Sequence, residues 1–93
     1  MIPNYEFCNL ILNILSKSYP GTMSKLQWQL ITQGVTDMQY VIGHFKYLEE
    51  KGLIDTEVFV DDEDENDISY QINMAKTKIN SNGIDIAASG GLK

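Results

Sequence analysis

The two residue types that most often carry metal or nucleophilic chemistry, cysteine and histidine, occur once each in this chain, as Cys8 and His44. A zinc site needs several such ligands, so the usual zinc sites are excluded. No Ser, Cys or His has the spacing of a nucleophile and its base, and no glycine-rich loop follows a predicted strand. Cys8 lies in an apolar run, where we expect a small buried side chain. We therefore predict that the chain is not an enzyme and holds no metal or cofactor.

Carboxylates form the second feature with chemical potential, because eight of the thirteen acidic residues fall between Asp55 and Asp67. The densest part of this stretch contains Asp61, Asp62, Glu63, Asp64, Glu65 and Asp67. It lacks the glycine and the distal glutamate spacing of an EF-hand loop, which argues against a calcium site. Two interpretations stay open. The acids are either the solvated tip of a hairpin or a surface that binds a basic protein partner by imitating the charge of nucleic acid.

Polar side chains on one predicted helix are the third feature. Gln39 could pair with adenine through two hydrogen bonds, and His44, Lys46 and Tyr47 could contact phosphates or base edges. The same residues would also suit an ordinary solvated helix face. The sequence therefore offers this face as a candidate surface for DNA or for protein.

The basic residues limit the DNA interpretation. The chain has seven lysines and no arginine, and arginine is the side chain that best recognises guanine edges and clamps phosphates. Lys76 and Lys78 lie two residues apart on a predicted strand, so they should share one face. From there they could contact phosphates, or they could simply keep the strand soluble.

Three predicted helices must position these residues. Apolar residues at helical spacing predict a first helix from Tyr5 to about Ser18 that is apolar on two stripes. One stripe could pack against a second copy of the chain, so we expect a homodimer. Ser24 with Gln27 and Thr36 with Gln39 have the capping-box pattern, and they predict the starts of two further helices.

The inward faces of these two helices follow from the same periodicity. The sequence predicts core positions at Leu26, Leu30, Ile31, Met38, Val41, Phe45 and Leu48. Gly34 should stop the second helix, and Gly52 is well placed to end the third. A short helix, a tight turn and a longer helix together predict a helix-turn-helix.

After Gly52 the apolar period changes from helical to alternating. Ile54, Val58 and Val60 are predicted to face inward on one strand, and the set Ile68, Tyr70, Ile72 and Met74 on the next. The loop of this hairpin is expected near residues 61–67, and a β-bulge near residues 75–77. Asn80 or Ser81 should cap a last short helix that Gly90 and Gly91 close.

The 93 residues suffice for one domain, spanning 1–93, with one apolar core. The N-terminus lacks the basic stretch of a secretory signal, and no apolar run approaches the ~20 residues of a membrane span. A lone cysteine suits a reducing compartment. We therefore expect a cytoplasmic protein with no membrane partner.

Two stretches resemble winged-helix transcriptional regulators of bacteria and their phages. Residues 41–54 (VIGHFKYLEEKGLI) resemble a recognition helix that runs into the first strand of the wing, the hairpin of this fold. Residues 78–85 (KINSNGID) are similar to the junction between the wing and the last helix. The ending, residues 83–92 (GIDIAASGGL), is similar to that of small prophage-encoded proteins of this type.

The resemblance implies an α+β winged helix-turn-helix: a three-helix core, a two- to three-stranded antiparallel wing and a short C-terminal helix. It further implies a small, prophage-linked DNA-binding transcriptional regulator. On the positions that match, the residues contacting DNA would be Thr36, Gln39, Tyr40, Gly43, His44, Lys46 and Tyr47, with Lys76 and Lys78 from the wing.

The chain departs from that family at two places. Ile42 and Gly43 stand where such regulators often carry a small polar residue and an arginine, and the wing tip is acidic instead of basic. Carboxylates near a phosphate backbone oppose binding. The alternative function is therefore a winged-helix module that binds a basic protein partner and modulates another regulator or a nucleic-acid enzyme.

Overall fold

A computed structural model describes residues 1–64 and 67–93, which form a small α+β domain. The helices are α1 (Tyr5–Ser16), α2 (Lys25–Thr32), α3 (Met38–Glu50) and α4 (Ser81–Ala88). The strands are β1 (Ile54–Asp55), β2 (Val58–Asp64), β3 (Asp67–Ile72) and β4 (Lys78–Ile79), with a short 3₁₀ helix at Met74–Lys76. No described helix has both the length and the apolar character that crossing a membrane requires.

Side-chain caps determine where the helices begin. Ser24 and Gln27 form the predicted capping box at α2, and Asn80 caps α4 by accepting from the Gly83 N–H. At α3 the predicted cap was wrong. Asp37, not Thr36, accepts from the N–H groups of Gln39 and Tyr40, so the helix begins one residue later than the capping-box pattern indicated. A carboxylate there also interacts favourably with the helix dipole.

Most of the core comes from α1 and α3, as the periodicity predicted. The fully buried side chains of α1 are Cys8, Ile11, Leu12 and Leu15, and those of α3 include Val41, Phe45 and Leu48. Both predicted stripes of α1 are therefore largely covered within the chain, and on this helix Leu10 stays 42% exposed. The homodimer through α1 stays a prediction.

Three predicted core positions were wrong, because Leu26, Leu30 and Met38 are exposed. In α2 the inward face belongs to Ile31 and to Trp28, whose ring lies 5.9 Å from that of Phe45. Leu26 lies about two residues from Trp28, which is close to the opposite side of a helix. The large aromatic side chain of Trp28 thus determines which side of α2 faces the core.

The strands form two separate antiparallel pairs. In the first, β1 pairs with β4, with Ile54 opposite Ile79 and Asp55 opposite Lys78. In the second, β2 pairs with β3, with Val58 opposite Ile72 and Val60 opposite Tyr70. The predicted bulge near residues 75–77 is instead the 3₁₀ helix, which breaks the returning segment into β3 and β4.

The hairpin of β2 and β3 is longer than predicted. Its strands run to Asp64 and from Asp67, with a register shift between Asp61 and Asp64, so most of the expected loop at 61–67 is strand. The predicted inward positions of Val60 and Tyr70 were also wrong, since these side chains are 49% and 46% exposed. The reason is that the hairpin extends beyond the core, so alternation continues after burial has ended.

Candidate α3–hairpin cleft

The outward side of α3 is a narrow stripe. Residues Gln39, Gly43, Lys46 and Glu50 recur at helical spacing and lie away from the buried face. The hairpin packs against one side of this stripe, and the N-terminal residues 1–4 lie along the other. The surface that a DNA-recognising helix would present is therefore flanked by two other parts of the chain.

On the hairpin side, the amide of Gln39 binds the backbone of Tyr70. The Tyr70 N–H donates to Gln39 Oε1 at 3.1 Å, and Gln39 Nε2 donates to the Tyr70 carbonyl at 3.3 Å. These backbone groups lie on the edge of β3 away from β2, so the glutamine side chain pairs with that edge much as another strand would. Both hydrogen-bonding ends of the amide predicted to contact adenine are thus engaged within the protein.

On the N-terminal side, His44 is fully buried. The Asn4 N–H donates to His44 Nε2 at 2.9 Å, and His44 Nδ1 donates to the Tyr40 carbonyl at 2.7 Å. Because Nε2 accepts from an N–H and Nδ1 faces a carbonyl oxygen, the ring carries a proton on Nδ1. The ring centroids of Tyr40 and Phe7 lie 4.4 and 5.1 Å away.

The expectation that His44 lies on the outer face was therefore wrong. His44 is buried because the start of α1 packs against α3 and covers this position. The sequence around His44 gave no indication that a segment 40 residues away would bury this side chain and form a hydrogen bond with it.

The remaining predicted positions on α3 differ in their exposure. The Met1 sulfur lies over Gly43, 2.8 Å from the point that a Cβ would occupy there. Lys46 is exposed and pairs with Glu49 at 2.8 Å, and this hydrogen bond raises the pKa of the Lys46 ammonium. A hydrogen bond with Tyr5 raises the pKa of the half-buried Tyr47 phenol. Thr36 is exposed ahead of the helix.

The two lysines predicted to share a wing strand lie on different elements. Lys76 is in the 3₁₀ helix and pairs with Glu57 at 3.0 Å, and hydrogen bonds from Lys76 and then from Asn73 lower the pKa of the Glu57 carboxyl. Lys78 is on β4, opposite Asp55. Their predicted common strand face was therefore wrong, because the 3₁₀ helix separates Lys76 from β4.

Between α3 and the hairpin lies a cleft of about 750 Å³, here called the α3–hairpin cleft. Its apolar lining comes from Met1, Tyr40, Ile42, Gly43, Val58 and Tyr70. Asp37, Gln39 and Lys46 supply its polar atoms. Val58 and Tyr70 belong to the same face of the hairpin, as the alternation predicted, but their position opposite Ile42 depends on how the hairpin packs and could not be predicted.

The acidic residues follow the cleft along the hairpin. Asp61, Asp62, Glu63 and Asp64 continue β2 directly after Val60, and Asp67 begins β3 three residues before Tyr70. Glu65 of the same predicted site lies outside the described residues. The chain's highest density of negative charge therefore lies on the distal half of the hairpin whose proximal half lines the cleft.

Neither metal chemistry nor thiol chemistry is apparent in the part of the chain that the structure describes. Within it, no three His, Cys, Asp or Glu residues are grouped so as to hold a metal ion. Cys8 is fully buried, and burial raises the pKa of its thiol, which opposes formation of the reactive thiolate.

No protein-family model, curated protein or solved structure matches the chain.

Proposed function

We propose that this chain is a winged-helix-type domain that binds a positively charged protein partner on its α3–hairpin side. The order α2, α3, β1, hairpin, β4, with a short turn between α2 and α3, supports the winged-helix interpretation. In such a domain α3 would be the recognition helix and the hairpin the wing. Fold alone does not select a ligand, so the choice depends on the surface.

The proposal rests mainly on one observation: three residues on the outward stripe of α3 already have partners within the protein. Gln39 is engaged by the Tyr70 backbone, Gly43 is covered by Met1, and Lys46 is paired with Glu49. With His44 buried, Lys46 is the one cation among the four stripe residues, and its charge is partly offset by Glu49. A basic protein surface, in contrast, requires neither arginine nor a free amide on α3.

Charge supports the same choice. The net charge of the chain is −6, and the acids Asp61, Asp62, Glu63 and Asp64 of β2 and Asp67 of β3 follow the hairpin segments that line the cleft. Negative charge on the hairpin beside α3 opposes a DNA duplex, whereas it attracts a lysine-rich or arginine-rich segment. DNA-binding regulation of transcription stays a prediction, and the same experiment tests it.

The test compares fluorescence anisotropy of a labelled lysine-rich peptide with that of a labelled DNA duplex at low salt. We expect the peptide to bind, with an affinity that falls as salt is added, because exposed charges are screened. We expect no duplex binding at tens of micromolar protein, a concentration at which non-specific DNA binding is normally detected (Kd about 10⁻⁴–10⁻⁶ M). Binding of the duplex but not of the peptide would refute the proposal.

A matched pair of charge-reversal variants localises the interaction. Asp62→Lys with Asp64→Lys reverses two charges on the hairpin, and Glu6→Lys with Asp85→Lys makes the same change in net charge elsewhere. We expect the hairpin variant to lose about 10-fold or more in peptide affinity and the control variant to lose much less. Equal losses would mean that net charge alone attracts the peptide, and that the hairpin is not the interface.

A further inference from the structure

We infer that the α3–hairpin cleft binds a bulky apolar side chain of the basic partner segment, flanked in that segment by lysine or arginine. The inference rests on the proposed function and adds the chemistry of the partner: an apolar anchor next to positive charge.

The cleft has the character of an anchor site. Ile42 is only 5% exposed on the α3 side, while Tyr70 on the hairpin is 46% exposed and lines the same space. The volume of about 750 Å³ is within the range of pockets that hold drug-sized ligands. Protein interfaces concentrate their affinity in such places, where one large apolar side chain enters a pocket with a polar rim.

The exposed apolar residues of the hairpin lie where an apolar side chain bound in the cleft would contact them. Val60 and Tyr70 are opposite each other in register and share a face with Val58, which also lines the cleft. Both are about half exposed, so this face stays only partly covered by the rest of the chain. An apolar side chain seated between the hairpin and Ile42 would remove this surface from water.

Charge complementarity identifies what flanks the anchor. The acids of β2 follow Val60 directly, and strands rise about 3.3 Å per residue, so the backbone of Asp62 lies about 7 Å further along the strand than Val60. A segment whose anchor contacts Tyr70 and that continues along the hairpin would therefore pass this negatively charged part of β2 two to four residues from its anchor. A second copy of the chain fits poorly, because it would bring another acidic hairpin to this surface.

The experiment uses two labelled peptides of lysine and serine that differ only at the central residue, which is tryptophan in one and serine in the other. Burying one large apolar side chain contributes about 1.5–3 kcal/mol, so we expect the tryptophan peptide to bind about 10-fold tighter or more. We expect Tyr70→Ser to abolish most of this advantage.

Phe59→Ser is the matched control, because Phe59 is equally exposed at 46% but lies on the opposite face of the same hairpin. We expect it to preserve the preference for tryptophan. On the wild-type chain, the amide resonances of Ile42 and Gly43 should shift with the tryptophan peptide and stay in place with the serine peptide.

The outcomes separate this inference from the proposed function. If neither peptide binds, the proposed function fails and the inference fails with it. If both peptides bind equally well and the hairpin charge reversal weakens both, the proposed function stands and the apolar anchor is refuted. Equal losses of the tryptophan preference in Tyr70→Ser and Phe59→Ser would also refute it, since the cleft would then have no special role.

Discussion

The two antiparallel strand pairs of this domain use the same alternation for different purposes. In the pair of β1 and β4, Ile54 and Ile79 are opposite each other and almost completely buried. In the pair of β2 and β3, Val60 and Tyr70 are also opposite each other and about half exposed. One pair closes the core, and the other carries an apolar face out beside a cleft. A half-covered apolar face next to concentrated charge is typical of an interaction surface.

The segment between β3 and β4 joins the two strand pairs, and hydrogen bonds of Thr77 hold it in place. Thr77 is fully buried, and its hydroxyl donates to the Asn73 carbonyl and lies 2.8 Å from the Thr56 hydroxyl. Its own carbonyl accepts from the Met23 N–H at 2.7 Å. These bonds fix the point at which the returning chain leaves the hairpin and joins the core.

The largest predicted effect is on the free energy of unfolding, which should depend much more on the pair of β1 and β4 than on the pair of β2 and β3. Ile79→Ala should lower the free energy of unfolding by about 2–5 kcal/mol, because it leaves a cavity among buried side chains. Tyr70→Ala should lower it by much less, since half of this side chain is already in water. Urea unfolding of both variants measures the difference. Similar losses would mean that the hairpin is part of the core, which would contradict the comparison.

Two helical glycines sharpen the same contrast. At Gly83 in α4 a Cβ would collide with the Leu53 carbonyl oxygen and with Ile79, so Gly83→Ala should destabilise the fold by about 1–3 kcal/mol. At Gly43 a Cβ would meet only the exposed, flexible Met1 side chain. Gly43→Ala should therefore stabilise the fold by about 0.5–1 kcal/mol through higher helix propensity. Shifts of the same sign in thermal unfolding would refute this.

Thr77 tests the junction. Thr77→Val keeps the shape but removes the hydroxyl, and should cost about 1 kcal/mol, because the partners of the lost hydrogen bond stay partly buried. Thr22→Val, on the exposed loop before α2, is the control and should change stability by less than about 0.5 kcal/mol. Chemical denaturation compares the two, and an equal effect would show that the junction does not depend on this hydroxyl.

The smallest predicted effect concerns the ion pair at the base of the hairpin. Lys76 lowers the pKa of the Glu57 carboxyl, so its contribution is present above the ordinary glutamate pKa and is lost as pH falls through the lowered value. Both side chains are exposed, and the effect should be small. In thermal melts, Glu57→Gln should differ slightly from wild type at neutral pH and match it in acid. A difference that persists in acid would contradict this pairing.

Much of the local structure could be predicted, because it depends on near neighbours. The capping box at Ser24, the positive φ of Gly52 after α3, and the buried positions Val41, Phe45 and Leu48 all follow from short-range spacing. Exposure along α2 could not be predicted, because it depends on Trp28 and its contact with Phe45. Likewise, the burial of His44 could not be predicted, because it depends on the segment around Asn4, whose N–H donates to the His44 ring.

The sequence by itself determined the order of the four helices with a hairpin between the third and the fourth, the shared face of Val58, Val60 and Tyr70, and the concentration of acids after Val60. Only the tertiary structure decided that Gln39 pairs with the Tyr70 backbone, that Met1 lies over Gly43, and that an apolar cleft separates α3 from the hairpin. The physical reason is distance along the chain. Periodicity and caps act within a few residues, whereas these contacts join segments about 30 to 40 residues apart, whose packing no local pattern encodes.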